Sequence, residues 1–190
     1  MAQRLSYARF LRKEDHHFLD RLKELATLAD WETIDTRVKP RDCEVTYSDA
    51  SSKMWAFSTD MTKGAQGHFK ANSDLHIFIK EGLALLAAIR VETPNFRGKV
   101  REFRVDNLPL VYAFAKGHSP NVHMNFILQR IDEILKEHNA LADVTWISTH
   151  ANLSDRFTRG DLLSFSVRAR KMLLAEPLLV EPCVPNFIYS

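Results

Sequence analysis

Apolar and polar residues alternate through residues 43–60, CEVTYSDASSKMWAFSTD, with Val45 and Tyr47 on one face and a break only at the short linker 50–53. A two-residue period interrupted by a turn signals a β-hairpin. A third short strand is expected around residues 66–71. Residues 75–90, LHIFIKEGLALLAAIR, are too long and too apolar for a strand and contain no Pro, so they predict a helix that is hydrophobic nearly all round and largely buried. Alternation returns in KVREFRVDNLPL, residues 99–110, where Phe103 and Val105 flank Arg104 before Asp106, Asn107 and Pro109 open a helix. In DVTWISTHANLSDRFTR, residues 143–159, Val144 and Trp146 share a strand face, Ile147 takes the other, and positions 152–155 begin a new element.

The expected order is three strands, a helix, a strand, helices, a strand and a helix. Strands separated by helical crossovers favour parallel neighbours, and the leading hairpin supplies an antiparallel part, so the fold class is α/β with a mixed sheet. Before this core, Phe18, Leu22, Leu25, Ala26 and Ala29 recur at helical spacing, giving an amphipathic helix over 13–29, with Trp31 just beyond and Pro40 ending the connection. Packing against the core or a neighbouring domain suits it better than a membrane. After Arg159 another helix is expected through residue 174, and Pro177, Pro182 and Pro185 then argue for an extended tail. The expected division is a helical extension or tether at 1–41, an α/β domain at 42–174 and a Pro-containing tail at 175–190.

Composition narrows the class. A chain of 190 residues with 45% hydrophobic content can bury one core plus appendages. Cys43 and Cys183 make no disulfide framework, no charged-then-apolar leader is read, and no apolar stretch reaches membrane-spanning length. An intracellular, reducing compartment is expected, with no membrane partner. The cysteines are too few for zinc and sit in no thiol motif, and His16, His17, His118 and His123 lack a Cys pair. Ser148, His150 and Asp155 have no nucleophile elbow around them, which sets acyl transfer aside. A formal charge of +2 says little about nucleic acid, but the local distribution says more. Arg97, Lys99, Arg101 and Arg104 crowd the strand before Asp106, while Arg156, Arg159, Arg168, Arg170 and Lys171 follow Asp155. Such clusters either contact phosphates or form solvated faces, and some of these cations are expected to pair with nearby acids.

The chemistry-bearing residues are four acids, Asp49, Glu81, Asp106 and Asp155, each at or near the edge of an expected element or inside the apolar helix. Asp49 and Asp106 end strands that can be neighbours, so their side chains can converge at one end of the sheet. Glu81 is one of very few charges in its helix, and a buried carboxylate is costly without hydrogen bonds, a counter-charge or a metal. Clustered carboxylates repel one another unless a cation compensates, and all-oxygen ligands suit hard divalent ions. Each acid also has an ordinary reading. Asp49 fits a turn, Asp106 or Asn107 fits a helix cap, Asn152 and Asp155 have capping-box spacing, and Glu81 can pair with a buried Arg.

Taken together, these motifs resemble the ribonuclease H domain of retroelement reverse transcriptases, of the LTR-retrotransposon or retrovirus-like kind. YSDASSKMWAF is similar to the family's strand, Asp-Ala-Ser and aromatic second strand, and HIFIKEGLALLAAI to its helix with Lys-Glu. FRVDNLPLVYAFAKGHS resembles its Asp-Asn strand end, and WISTHANLSDRFTR its closing Asn-x-x-Asp-x-x-x-Arg. The resemblance spans roughly residues 43–159 and implies a ribonuclease H-like fold, with a five-stranded mixed sheet of three antiparallel then two parallel strands flanked by helices. It implies hydrolysis of the RNA strand of an RNA/DNA hybrid, leaving 5′-phosphate and 3′-hydroxyl ends. It also implies that Asp49, Glu81, Asp106 and Asp155 hold two Mg2+, with Mn2+ as a substitute, and that His150 transfers protons or aids product release. A polymerase domain in the parent protein and a cytoplasmic or retroelement-particle setting follow from the same resemblance. Ser51, Ser52, Asn107 and Asn152 are candidate contacts to sugars or phosphates, or else turn and cap residues, and Arg156 is a further candidate substrate contact. The chain departs from the family in carrying Ser154 where many members have Ala, and in spreading Lys116, Arg130 and Lys136 where a dense basic loop is usual. The alternatives are an inactive ribonuclease H-like scaffold for nucleic acid or protein, and a DNA-directed nuclease of the same fold.

Overall fold

A computed structural model describes residues 39–61, 63–69 and 74–161 and the backbone of 183–184. The chain divides between Val38 and Lys39, and every element below belongs to the second part. The amphipathic helix expected at 13–29 and the helix expected through 174 lie outside the described residues.

Strand β1 (Arg41–Ala50) pairs antiparallel with β2 (Met54–Ser58), which pairs antiparallel with β3 (Gly64–Phe69). On its other side β1 runs parallel to β4 (Val100–Val105), and β4 runs parallel to β5 (Leu141–Trp146). A two-residue strand β6 (Cys183–Val184) adds antiparallel to β3, so the full order is β5-β4-β1-β2-β3-β6. Without β6 this is the expected ribonuclease H-like sheet, three antiparallel strands followed by two parallel ones. The third strand begins at Gly64, earlier than expected, and pairs with β2 from Gly64 opposite Ser58 to His68 opposite Met54; Gly67 faces Trp55, whose indole atoms lie 2.8 Å from where a Cβ would stand. Only a residue without a side chain lets that ring lie flat on the ladder.

Helix α1 (Ile77–Glu92) starts where the His76 ring accepts from the Phe78 N–H, and residues 79–89 are all buried, as the unbroken apolar pattern requires. It lies between the sheet and α3 (Val122–Glu137), whose Met124, Ile127, Ile131 and Ile134 form one apolar stripe. Pro94 ends α1 in a short 3₁₀ turn (Thr93–Phe96), and Phe96 meets Phe103 edge to face with centroids 5.9 Å apart. Helix α2 (Leu108–Lys116) is capped by the Asn107 side chain at 3.1 Å, carries Pro109 in its first turn and stops at Gly117, where φ is 70°. Asn107, not Asp106, is therefore the cap. A 3₁₀ turn (Thr149–Ala151) and the short helix α4 (Asp155–Thr158) follow β5. No helix among the described residues is long and apolar enough to cross a membrane.

Two cations of the basic cluster before Asp106 pair with acids, Arg104 with Glu102 at 2.8 Å and Arg101 more extensively. Arg101 is 1% exposed, bonds Glu92 at 2.5 Å, Glu44 at 2.9 Å and Asp42 at 3.3 Å, and lies over the Phe96 ring. It points into the core side of β4 with Phe103 and Val105, so its charge is committed to buried Glu92 and to Asp42 and Glu44 at the surface edge instead of to phosphates.

Candidate metal centre

Parallel pairing sets Tyr47 beside Arg104, and two residues further along each strand stand Asp49 and Asp106, at the carboxyl ends of β1 and β4. Glu81 reaches the same point from the first turns of α1, where the Ala50 backbone N–H donates to it. One ligand oxygen from each of Asp49, Glu81 and Asp106 can be chosen so that all lie within 4.8 Å of one another. Asp49 and Glu81 are buried, while Asp106 is half-buried and opens the cluster to solvent.

The electrostatics are those of an uncompensated cluster. Burial pushes Asp49 up from 3.8 to about 6; the Thr158 hydroxyl bond opposes this, the charges of Asp106 and Asp155 add to it, and Arg159 opposes it. Burial likewise drives Glu81 well above the carboxylate range, helped by Asp49 and Asp106 and countered by the Ala50 N–H. Oε2 of Glu81 is buried with no hydrogen-bond partner. An all-oxygen donor set, an orphaned buried carboxylate oxygen and mutual repulsion fit a hard divalent cation.

Asp155 opens α4, and the loop before it is bonded to the back of β1. Asn152 donates to the Ser48 carbonyl at 3.0 Å and accepts from the Ser154 N–H at 3.1 Å. Ser154, fully buried, donates to the Tyr47 carbonyl at 2.9 Å and lies 3.3 Å from the Ser58 hydroxyl. The Ser154 hydroxyl thus finds partners in the strand beneath. Thr158 donates to the Asp49 carboxylate and lies 2.9 Å from the Asp155 carbonyl. The Asp155 carboxylate itself is held by Arg159, Nε at 2.7 Å and Nη2 at 2.9 Å. Asp155 therefore adjoins the cluster, with its charge acting on Asp49, but its oxygens already have a cation.

The remaining candidates are placed as follows. Ser51 accepts from the Met54 N–H at 2.9 Å and makes the β1–β2 turn, so the turn bonding belongs to Ser51 and not to Asp49. Ser52 is exposed, and its carbonyl receives the ammonium of buried Lys80 at 2.6 Å. Asn107 caps α2, and Asn152 is buried with both ends of its amide bonded. Arg156 is exposed, paired with Asp161 at 2.6 Å and set over the Phe157 ring. His150 is exposed in the 3₁₀ turn. Sequence reasoning assigned no role to Thr158 or Lys80. The i, i+4 spacing of Asp155 and Arg159 was a readable signal for their pair, whereas nothing local ties Thr158 to Asp49.

No protein-family profile matches the chain, and no curated protein sequence matches it. Solved structures similar to it include two RNase H1 proteins. RNase H1 from the halophilic archaeon Halobacterium salinarum NRC-1 superposes with a TM-score of 0.46 at 16% identity, over 57% of this chain and 88% of that one. LC11-RNase H1, isolated from compost by a metagenomic approach, does so with a TM-score of 0.41 at 15% identity, over 60% of this chain and 90% of that one. The sheet topology and the acid cluster define the class from this chain's own features, a ribonuclease H-like fold with a candidate divalent-metal centre.

Proposed function

We propose that the chain is a metal-dependent endonuclease that hydrolyses the RNA strand of RNA/DNA hybrids, as the ribonuclease H domain of a retroelement reverse transcriptase. The observation that carries this reading is the convergence of Asp49, Glu81 and Asp106 at the ends of two parallel strands, with a buried Glu81 oxygen that nothing in the described structure satisfies. Asp49, Glu81, Asp106 and Asp155 are the residues that would hold two Mg2+, or Mn2+ in their place. Held there, such ions would supply Lewis acidity to a water nucleophile and to the charge that develops on a departing 3′ oxygen.

The chain's own residues do the positioning. Burial fixes Asp49 and Glu81, and the half-exposed Asp106 marks the side from which a phosphodiester approaches. Ser51, Ser52 and Asn107 flank that opening, short enough to meet sugars or phosphates, while Asn152 supports the loop from beneath. Arg156 lies on the exposed side of α4 as a phosphate contact, and His150 is free to move a proton or aid release. The 2′ hydroxyl distinguishes the RNA strand. With Lys116, Arg130 and Lys136 scattered, hybrid affinity draws on a polymerase domain of the parent protein. The proposed domain limits are those expected from the sequence, with the nuclease at 42–174.

The test is incubation with a labelled RNA/DNA hybrid in Mg2+ or Mn2+, beside single-stranded RNA, duplex RNA, duplex DNA and an Asp106→Asn control. Cleavage of RNA confined to the hybrid, dependent on metal and lost in the variant, is expected. Metal binding without turnover would identify a scaffold instead, and cleavage of duplex DNA a DNA-directed nuclease.

A further inference from the structure

The acid cluster is asymmetric in what the chain supplies to it. Among the described residues no ion pair neutralises Asp49, Glu81 or Asp106, and the one nearby buried ammonium, on Lys80, turns to the Ser52 carbonyl. Asp155 is the opposite case, with both its oxygens engaged by the guanidinium fork of Arg159. A two-point contact of this kind takes one in-plane lone pair of each oxygen and sets a positive charge where it competes with a metal ion for the carboxylate. Thr158 acts in the same direction, since its hydroxyl occupies one oxygen of Asp49 on the side facing α4.

We infer that Arg159 stands in for a cation at Asp155, so that the metal centre fills in order: a first ion at Asp49, Glu81 and Asp106, and a second only when Arg159 lets go. The inference rests on the reading of the four acids as ligands of two ions. Its physical requirement is that the pair be cheap to open. Arg159 ends α4 with 69% of its side chain exposed, whereas the Asp155 side chain is 24% exposed. An exposed ion pair is weak and salt-screened, and the released guanidinium would be solvated or meet a phosphate of the substrate. Arg159 is then a positioning residue that keeps Asp155 aimed at the cluster until a stronger cation arrives.

Mn2+ titration of the full chain, followed by electron paramagnetic resonance and calorimetry, tests this in wild type, Arg159→Met and Asp106→Asn. Wild type is expected to show a tighter first event and a weaker second one. Arg159→Met should tighten the second event about two- to fivefold, the scale of an exposed ion pair, and the first by less, because the Arg159 charge also reaches Asp49 and Asp106. Because Arg159 is on the surface, the variant should fold, which a thermal melt without metal verifies. Equal tightening of both events, or of neither, overturns the inference while leaving the metal centre standing. If wild type binds no Mn2+, or Asp106→Asn keeps both events, the metal-centre reading fails and takes this inference with it.

Discussion

Thr158 donates its hydroxyl to the Asp49 carboxylate across 109 residues of sequence, and so bonds the last short helix to the end of the central strand. The bond favours the ionised acid where burial and two neighbouring carboxylates disfavour it. Thr158→Val keeps the shape and removes the donor. Asp49 should then titrate above about 6, and the fold should lose about 1–3 kcal/mol at neutral pH, the scale of a hydrogen bond to a charged group. Carboxyl-carbon NMR titration and urea denaturation measure the two effects. An unchanged Asp49 titration would show that the hydroxyl does not act on it.

The raised acids also fix the sign of the pH dependence. Asp49 shifts from 3.8 in the unfolded chain to about 6 when folded, so between those values the native state holds more protons than the unfolded one. Its contribution to stability is greatest below about 3.8 and is lost as pH rises through about 6, and Glu81, raised by burial, adds a loss of the same sign as pH rises. For Asp49 alone the loss is about 3 kcal/mol. Metal-free protein should therefore gain stability from this site on going from pH 7 to pH 5, and Mg2+ should restore stability at pH 7 far more than at pH 5. Denaturation at both pH values, with and without Mg2+, checks the sign.

Asp106→Asn separates repulsion from ligation. Its charge raises the titration of both Asp49 and Glu81, so the amide should lower both and stabilise the metal-free fold by about 1 kcal/mol. The same change should abolish the Mg2+-induced rise in melting temperature. A variant less stable without metal, yet still stabilised by Mg2+, would remove Asp106 from the cluster.

The sheet was legible because alternation in 43–60 and 99–105 is a local signal, and α1 because eleven consecutive buried positions, 79–89, leave no polar face to mistake. Asp49 and Asp106 could be placed at one end of the sheet because each closes a strand, but that β4 lies beside β1, and not beside the β3 to which α1 joins it, is a pairing that chain order does not give. What escaped reading depends on side chains meeting at a distance. Arg101 sits in a basic run indistinguishable by composition from a phosphate-binding stripe, and only its alternation with Phe103 and Val105 hinted that it faces inward. The bounds of β3 escaped for the same reason, since its pairing with β2, from Gly64 opposite Ser58 to His68 opposite Met54, is a register that neither segment carries alone.

Arg101 gives the sharpest separation between stability and binding. Its guanidinium holds Glu92, Asp42 and Glu44 and covers Phe96, and it has almost no exposed surface. Arg101→Met fills the volume but strips buried Glu92 and Asp42 of their cation, a change that typically costs about 3–5 kcal/mol. Lys cannot rescue it, because one ammonium cannot span three acids as a fork does. Surface arginines that touch phosphate behave differently, since each one removed reduces the slope of log affinity against log salt by about 1. Urea denaturation of Arg101→Met should show the large loss, while hybrid binding measured under conditions where the variant stays folded should keep the wild-type salt slope. A reduced slope with little loss of stability would place Arg101 at the nucleic acid and contradict its burial.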